Sequence, residues 1–165
     1  MAHIEIDLNP VDFITIGTVG PKGQRVFHLQ AGKGDQLVTV IIEKEQAGAL
    51  AEAIRDMLED LDRRHPERTV GARPGNMSLR DPLEPLFRVA QMGLGYDEDS
   101  DMIVLIAQEM IALTEEMDPE SVEPGVIRLW CSRAQMRALS AHSADTVQQG
   151  RPDPKQNGRL VYYWT

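Results

Sequence analysis

The chain carries one cysteine, Cys131, in 165 residues. A single thiol excludes an intramolecular disulfide and every zinc motif built from several cysteines. No apolar run approaches the roughly 18 residues that would span a bilayer. The start, Met1-Ala2-His3-Ile4-Glu5-Ile6-Asp7, is acidic where a secretory leader is basic, so a cytoplasmic protein is expected. Positive charge is also short: 17 Lys and Arg against 26 Asp and Glu give a net charge of −9. Sequence-independent binding to nucleic acid relies on cations that displace the counterions of phosphate, which argues against that class of partner. The densest basic run, Arg63-Arg64-His65-Pro66-Glu67-Arg68, is offset by Glu59, Asp60 and Asp62. The four histidines, at 3, 28, 65 and 142, share no metal-ligand spacing, and neither a metal nor a cofactor is expected.

What remains is an ordinary globular composition, 42% hydrophobic and 26% charged, long enough for one packed domain or two interlocked halves. After Gly17 the residues alternate, with Val26, His28 and Gln30 on one face and Phe27, Leu29 and Ala31 on the other, which is strand periodicity. Gly32-Lys33-Gly34-Asp35 turns the chain into a second β-rich run, Leu37 to Ile42. From Glu43 the period changes. Ala47, Leu50, Ala51, Ile54, Met57, Leu58 and Leu61 recur at spacings of three and four, the stripe of an amphipathic helix. Pro66, Pro74, Pro82 and Pro85 then break any regular element, and 65–85 reads as an irregular connection.

The same order returns. A strand runs from Leu86 to Tyr96, an acidic turn follows at 97–101, and Met102 to Ile106 forms a return strand. Residues 107–117 fit strand or helix. Val126 to Cys131 is a further strand, and a helix is expected from Ser132 to about Gln149. Lys44-Glu45-Gln46-Ala47 to Ala51 matches Arg133-Ala134-Gln135-Met136 to Ser140 at an offset of 89, whereas Phe13 and Phe87 start the two halves at an offset of 74. The second copy therefore holds 15 extra residues, most of them placed in the acidic stretch 114–123. The fold class expected is α+β: two pseudo-repeated βββα units, mainly antiparallel, with one helix packed per half. The halves span about 3–64 and 86–150, and 151–165 is a C-terminal tail.

Each motif has a structural explanation. Gly17-Thr18-Val19-Gly20-Pro21-Lys22-Gly23 has the glycine spacing of a phosphate-binding loop, but strand rather than helix follows it, so a hairpin tip is expected. Ser132-Arg133-Ala134-Gln135 has the form of a capping box, and Glu43 to Gln46 repeats its spacing with a poorer cap. Cys131 precedes a helix start, but it shares parity with Ile127 and Leu129 and corresponds to Ile42, a core face. Asp97-Glu98-Asp99-Ser100-Asp101 opens like a calcium loop, yet Met102 and Gln108 stand where the glycine and the closing carboxylate belong, leaving a solvated turn.

The stretches Gly17 to Ala31, Glu43 to Ile54 and Phe87 to Asp101 together resemble a bacterial family catalogued as domain of unknown function three thousand and ninety, over nearly the whole chain up to Pro152. The resemblance implies a cytosolic protein of actinobacteria and Chloroflexi-type bacteria, whose gene often accompanies one for a histidine-phosphatase-like protein, and it carries no established activity. Relatives commonly end in a cysteine-rich knuckle that would hold zinc. Here Asp153 to Gly158 has no cysteine, and Tyr162, Tyr163 and Trp164 are expected to stabilise the end instead, either docked or offered to a partner.

No constellation of catalytic groups emerges. The leading expectation is a non-catalytic binding or regulatory module acting through a protein partner or self-association. The alternative is an enzyme or small-molecule binder with a cleft between the halves, lined by polar residues on strands or strand ends: Arg25, His28, Gln30, Glu43, Lys44 and Arg88.

Overall fold

The computed structural model describes residues 4–72 and 75–149. Strands β1 (Glu5–Leu8), β2 (Phe13–Val19), β3 (Val26–Lys33) and β4 (Gln36–Ile42) lead into helix α1 (Lys44–Arg64). Strands β5 (Val89–Asp97), β6 (Met102–Glu109) and β7 (Val126–Cys131) lead into helix α2 (Arg133–Gln149). With β1 set aside, β2–β4 with α1 and β5–β7 with α2 are two βββα units. The tip between β2 and β3 is a hairpin, with Gly20 and Gly23 at φ of 112° and 89°, angles that a side chain would strain. Where β3 turns into β4 at Gly34, the second copy instead has the long connection 110–125; strand register matches Phe27 with Ile103, an offset of 76 against 89 at Ile42 and Cys131, so this connection holds 13 extra residues rather than 15, and Phe13 corresponds to Gln91 rather than to Phe87. Residues 107–109 continue β6, and the rest of 107–117 is neither strand nor helix.

β2, β3 and β4 form one antiparallel sheet, whereas the other has the order β1-β7-β6-β5, with β1 parallel to β7. The first strand therefore serves the sheet of the second half. The exchange is mutual: Leu86 donates to the Thr39 carbonyl at 2.8 Å, and Ile41 to that of Phe87 at 2.9 Å, so the lead-in to β5 runs parallel beside β4. Each half gives its leading segment to the last strand of the other.

The helices pack on each other through small residues. Ser140 Oγ donates to the Ala51 carbonyl at 2.7 Å and Ser143 Oγ to that of Ala47 at 2.8 Å. Ser140 and Ala51 are equivalent positions of the repeat, and equivalent positions touch only where a two-fold axis passes between them. Leu50, Ile54, Leu58 and Leu61 of α1 and Met136 and Leu139 of α2 are buried in the core with Ile16, Leu29, Val40, Leu105 and Leu129 from the sheets. Each such side chain contributes about 1.5–3 kcal/mol by leaving water.

The outer face of the first sheet has a polar row, Thr15, Gln30 and Thr39, adjacent across the three strands and fully buried. The irregular connection covers it. Thr15 Oγ1 donates to the Met77 carbonyl, Gln30 Nε2 to the Arg80 carbonyl and to Thr39 Oγ1 at 3.0 Å each, and Arg80 N–H to Gln30 Oε1 at 2.7 Å. Leu79 lies over Gly17, and the Arg80 guanidinium stacks on Phe13, 3.5 Å from the ring centre. The proline-broken segment is a strap, fixed because buried polar groups need partners. Among the described residues no helix is long and apolar enough to cross a membrane.

Candidate functional site

Both helix starts are built alike. The Ser132 N–H donates to Gln135 Oε1 at 2.8 Å, and the Gln135 N–H returns a bond to Ser132 Oγ at 3.1 Å, a complete capping box. In the first half the Glu43 N–H donates to Gln46 Oε1 at 2.7 Å. The free amide of each glutamine reaches the lead-in segment that has crossed from the other half: Gln135 Nε2 to the Val11 carbonyl at 3.1 Å, and Gln46 Nε2 to that of Val89 at 3.2 Å. The matched glutamines cap their helices and clamp the exchanged segments.

Beside the first helix start lies an open cleft of about 410 Å³, lined by Gly23, Arg25, Val26, Phe27, Ile42, Glu43, Lys44, Glu45 and Arg88. Four of the six residues expected to line a cleft meet there: Arg25 from the β2–β3 hairpin, Glu43 and Lys44 from the start of α1, and Arg88 from the segment that crosses from the second half. Arg88 Nη1 contacts Glu43 Oε1 at 2.5 Å, with both side chains about half exposed, 46% and 53%. Arg25 Nη1 donates to the Gln149 carbonyl at 3.3 Å, which ties the hairpin to the end of α2. Three bases and two carboxylates leave the lining with one net positive charge on a chain whose total is −9.

His28 and Gln30 do not join them. They lie on the opposite face of β3 from Phe27, beneath the strap. Gln30 is consumed by the bonds already described. His28 is 5% exposed, and its Nδ1–H bonds the Val26 carbonyl at 3.1 Å. Burial pulls the His28 pKa below its ordinary value, although the Val26 hydrogen bond opposes the fall.

Cys131 is wholly buried, and burial pushes its thiol pKa up, away from the thiolate that a nucleophile needs. His142 bonds the Ile16 carbonyl through Nε2 at 2.9 Å, joining α2 to β2. Among the described residues no group of three or more His, Cys, Asp or Glu is placed to hold a metal ion. The aromatic tail, with Tyr162, Tyr163 and Trp164, lies outside the described residues.

A second polar cluster, which inspection of the sequence missed, sits at the start of α2. The Arg133 side chain is 1% exposed, with Nε on Asp101 Oδ1 at 2.9 Å and Nη1 near Asp62 Oδ1 at 3.5 Å. Tyr96 donates its hydroxyl to Asp101 at 2.7 Å and accepts from Arg68 at 3.0 Å, and Arg137 holds Asp62 at 2.9 Å. Burial alone would lower the Arg133 pKa, but the hydrogen bonds to Tyr96 and Asp101 and their charges outweigh it, for a net rise. The turn at 97–101 is therefore exposed at Glu98, Asp99 and Ser100, whereas Asp101, one-third exposed, bonds the buried guanidinium. The available signal was the repeat itself, which pairs Arg133 with Lys44.

The sequence matches, over residues 6–158, a family described as protein of unknown function (DUF3090). No curated protein matches the chain, and no solved structure does. With nearly the whole chain covered, including both βββα units, the protein belongs to that family of unknown function.

Proposed function

We propose that the protein is a non-catalytic binding module whose working surface is the open cleft at the start of α1, to which the second half adds Arg88, and that its ligand is a small anionic molecule. One observation carries this reading: Arg25, Lys44 and Arg88, from three separate parts of the chain, line a single open cleft on an otherwise acidic protein. Pockets with a few convergent polar groups are the usual places for small ligands. An overall negative field disfavours polyanions such as nucleic acid, while a local cluster of cations still attracts a small anion at short range. Among the described residues no cysteine, serine or histidine lines the cleft, and Cys131 and His28 are buried elsewhere.

The test is thermal unfolding of the full chain against a panel of small anionic metabolites, with Arg88→Ala as the control. A ligand at a hundred times its Kd stabilises by about 2.7 kcal/mol. For a chain of this size that is a rise of roughly 5–10 °C in Tm. The Arg88–Glu43 pair is half exposed and worth only about 0–1 kcal/mol, so the variant is expected to fold. The expected result is a compound that raises the Tm of the parent and not of the variant. A panel without effect, or one that acts equally on both, refutes the proposal. A stoichiometric protein partner co-purifying with parent and Arg88→Ala alike would instead favour the partner reading.

A further inference from the structure

Strand register matches the outer faces of the two sheets position by position. Thr15, Gln30 and Thr39, adjacent across the first sheet, correspond to Gly93, Ile106 and Arg128, adjacent across the second. The next row, Gly17, His28 and Ile41, corresponds to Gly95, Val104 and Trp130. On the first sheet the strap covers both rows: Leu79 lies over Gly17, and Thr15 and Gln30 bond the backbone at Met77 and Arg80. On the second sheet the described residues place nothing within 4 Å of where a Cβ at Gly93 would stand, and only Val104 near that of Gly95. Ile106, between Gly93 and Arg128, is 36% exposed. The groups that bond a strap through its carbonyls are replaced here by glycine and isoleucine, so this face suits an apolar cover.

The repeat itself supplies one. The strap is the segment that leaves α1, and residues 150–165 are the segment that leaves α2. The two departures are built alike, each against the hairpin of the other half. Arg68, just past α1, donates to Tyr96 Oη and to the Glu98 carbonyl beside the β5–β6 turn, and Arg25, in the β2–β3 turn, donates to the Gln149 carbonyl at the end of α2. Met77, Leu79 and Arg80, the residues of the strap that touch the first sheet, stand 13, 15 and 16 residues past Arg64, the last of α1. The same counts from Gln149 reach Tyr162, Trp164 and Thr165. Leu160, Val161 and Tyr163 fill the places between with further apolar side chains.

From this correspondence we infer that the C-terminal segment docks on the outer face of the second sheet as the strap docks on the first, with Tyr162 and Trp164 over Gly93 and Gly95. Glycine in a strand lets another group approach the backbone closely, and two of them beside Ile106 and Trp130 make a flat floor for an aromatic ring. The docking is separate from the anion cleft and does not depend on it.

The experiment attaches a nitroxide spin label to Thr165→Cys in the full chain and reads the loss of amide NMR signals near it. Cys131 is wholly buried, so the label goes to the new thiol. The signals of Gly93, Gly95, Val104 and Ile106 are expected to vanish and to return when the nitroxide is reduced. Gly93→Glu is the control: the described residues leave room for its side chain, and a carboxylate on the apolar floor is expected to release the segment and restore those signals. Loss centred instead on 23–27 and 43–45, or no localised loss, overturns the inference. So does loss that persists unchanged in Gly93→Glu. Loss that appears when isotope-labelled chain without nitroxide is mixed with unlabelled chain carrying it would assign the contact to a second copy, and overturns docking within the chain.

Discussion

Replacing Asp101 by asparagine keeps the shape of the side chain and removes its charge, which leaves the buried Arg133 guanidinium with Asp62 as its remaining carboxylate. The Arg133 side chain is 1% exposed, so water cannot substitute for the lost partner. Removing one member of a fully buried ion pair costs about 3–5 kcal/mol. Two features reduce that figure here: Asp101 is one-third exposed, and Asp62 lies 3.5 Å from Arg133 on the other side. The asparagine amide oxygen still accepts from Arg133 and Tyr96, so what is lost is the negative charge: a charge-assisted bond of about 1.5–3 kcal/mol becomes a neutral one of about 0.5–1.5 kcal/mol. We expect Asp101→Asn to destabilise by about 1–2 kcal/mol, a fall in Tm of roughly 3–8 °C for a chain of this length. Urea unfolding with an unchanged slope is the assay, since an altered slope would indicate a change in the unfolded or native state rather than in the pair. The companion variant Arg133→Met with Asp101→Asn removes both charges while asparagine keeps to the left-handed backbone at position 101, φ 54°, and it is expected to recover most of the loss, because the buried guanidinium is gone. A loss below about 0.5 kcal/mol for Asp101→Asn, the range of ordinary surface substitutions, would refute the claim that this pair holds the second hairpin onto α2.

Two further outcomes follow from the first sheet. Burial lowers the His28 pKa, so the unfolded chain binds that proton more readily than the folded one; stability is full above the ordinary histidine value of 6.5 and is lost as pH falls below it. His28→Asn is expected to flatten that part of the Tm-against-pH curve below pH 6.5, and an unaltered curve would show that other groups control it. Gly17→Ala places a methyl 2.6 Å from Leu79 Cγ, so the strap must shift. A cost of about 1–3 kcal/mol from overpacking is expected, with faster proteolysis within residues 69–85, and an unchanged cleavage rate would mean that the strap is not seated on Gly17.

Local pattern carried the elements. Alternation located β3 and β4, the spacing of Ala47, Leu50, Ile54, Leu58 and Leu61 located α1, and Gln46 with Gln135 exposed the repeat and the place of its insertion. What local pattern lacked was anything joining distant segments. The exchange of lead-in segments depends on backbone bonds from β1 to β7 and from Leu86 to Thr39, and backbone groups are the same in every residue. The strap was equally hidden, because its anchors, Thr15 and Gln30, can donate to any carbonyl that arrives. In the candidate site the proposed set mixed two faces of β3. Parity alone separates Phe27, which lines the cleft, from His28 and Gln30, which lie under the strap. Arg88 was placed beside Glu43 only by the crossing of the second half.

The exchanged segments also set an order of events for a chain made from one end. β1 leaves the ribosome early, but the edge it pairs with belongs to β7, among the last strands synthesised. At typical translation rates the interval is on the order of ten seconds. Early in that interval the first sheet has β4 as an unpaired edge, until residues 86–88 arrive to cover it. Neither half expressed alone would own the strand that closes it, so splitting the gene at the repeat boundary should give two fragments that become soluble only when they are made together.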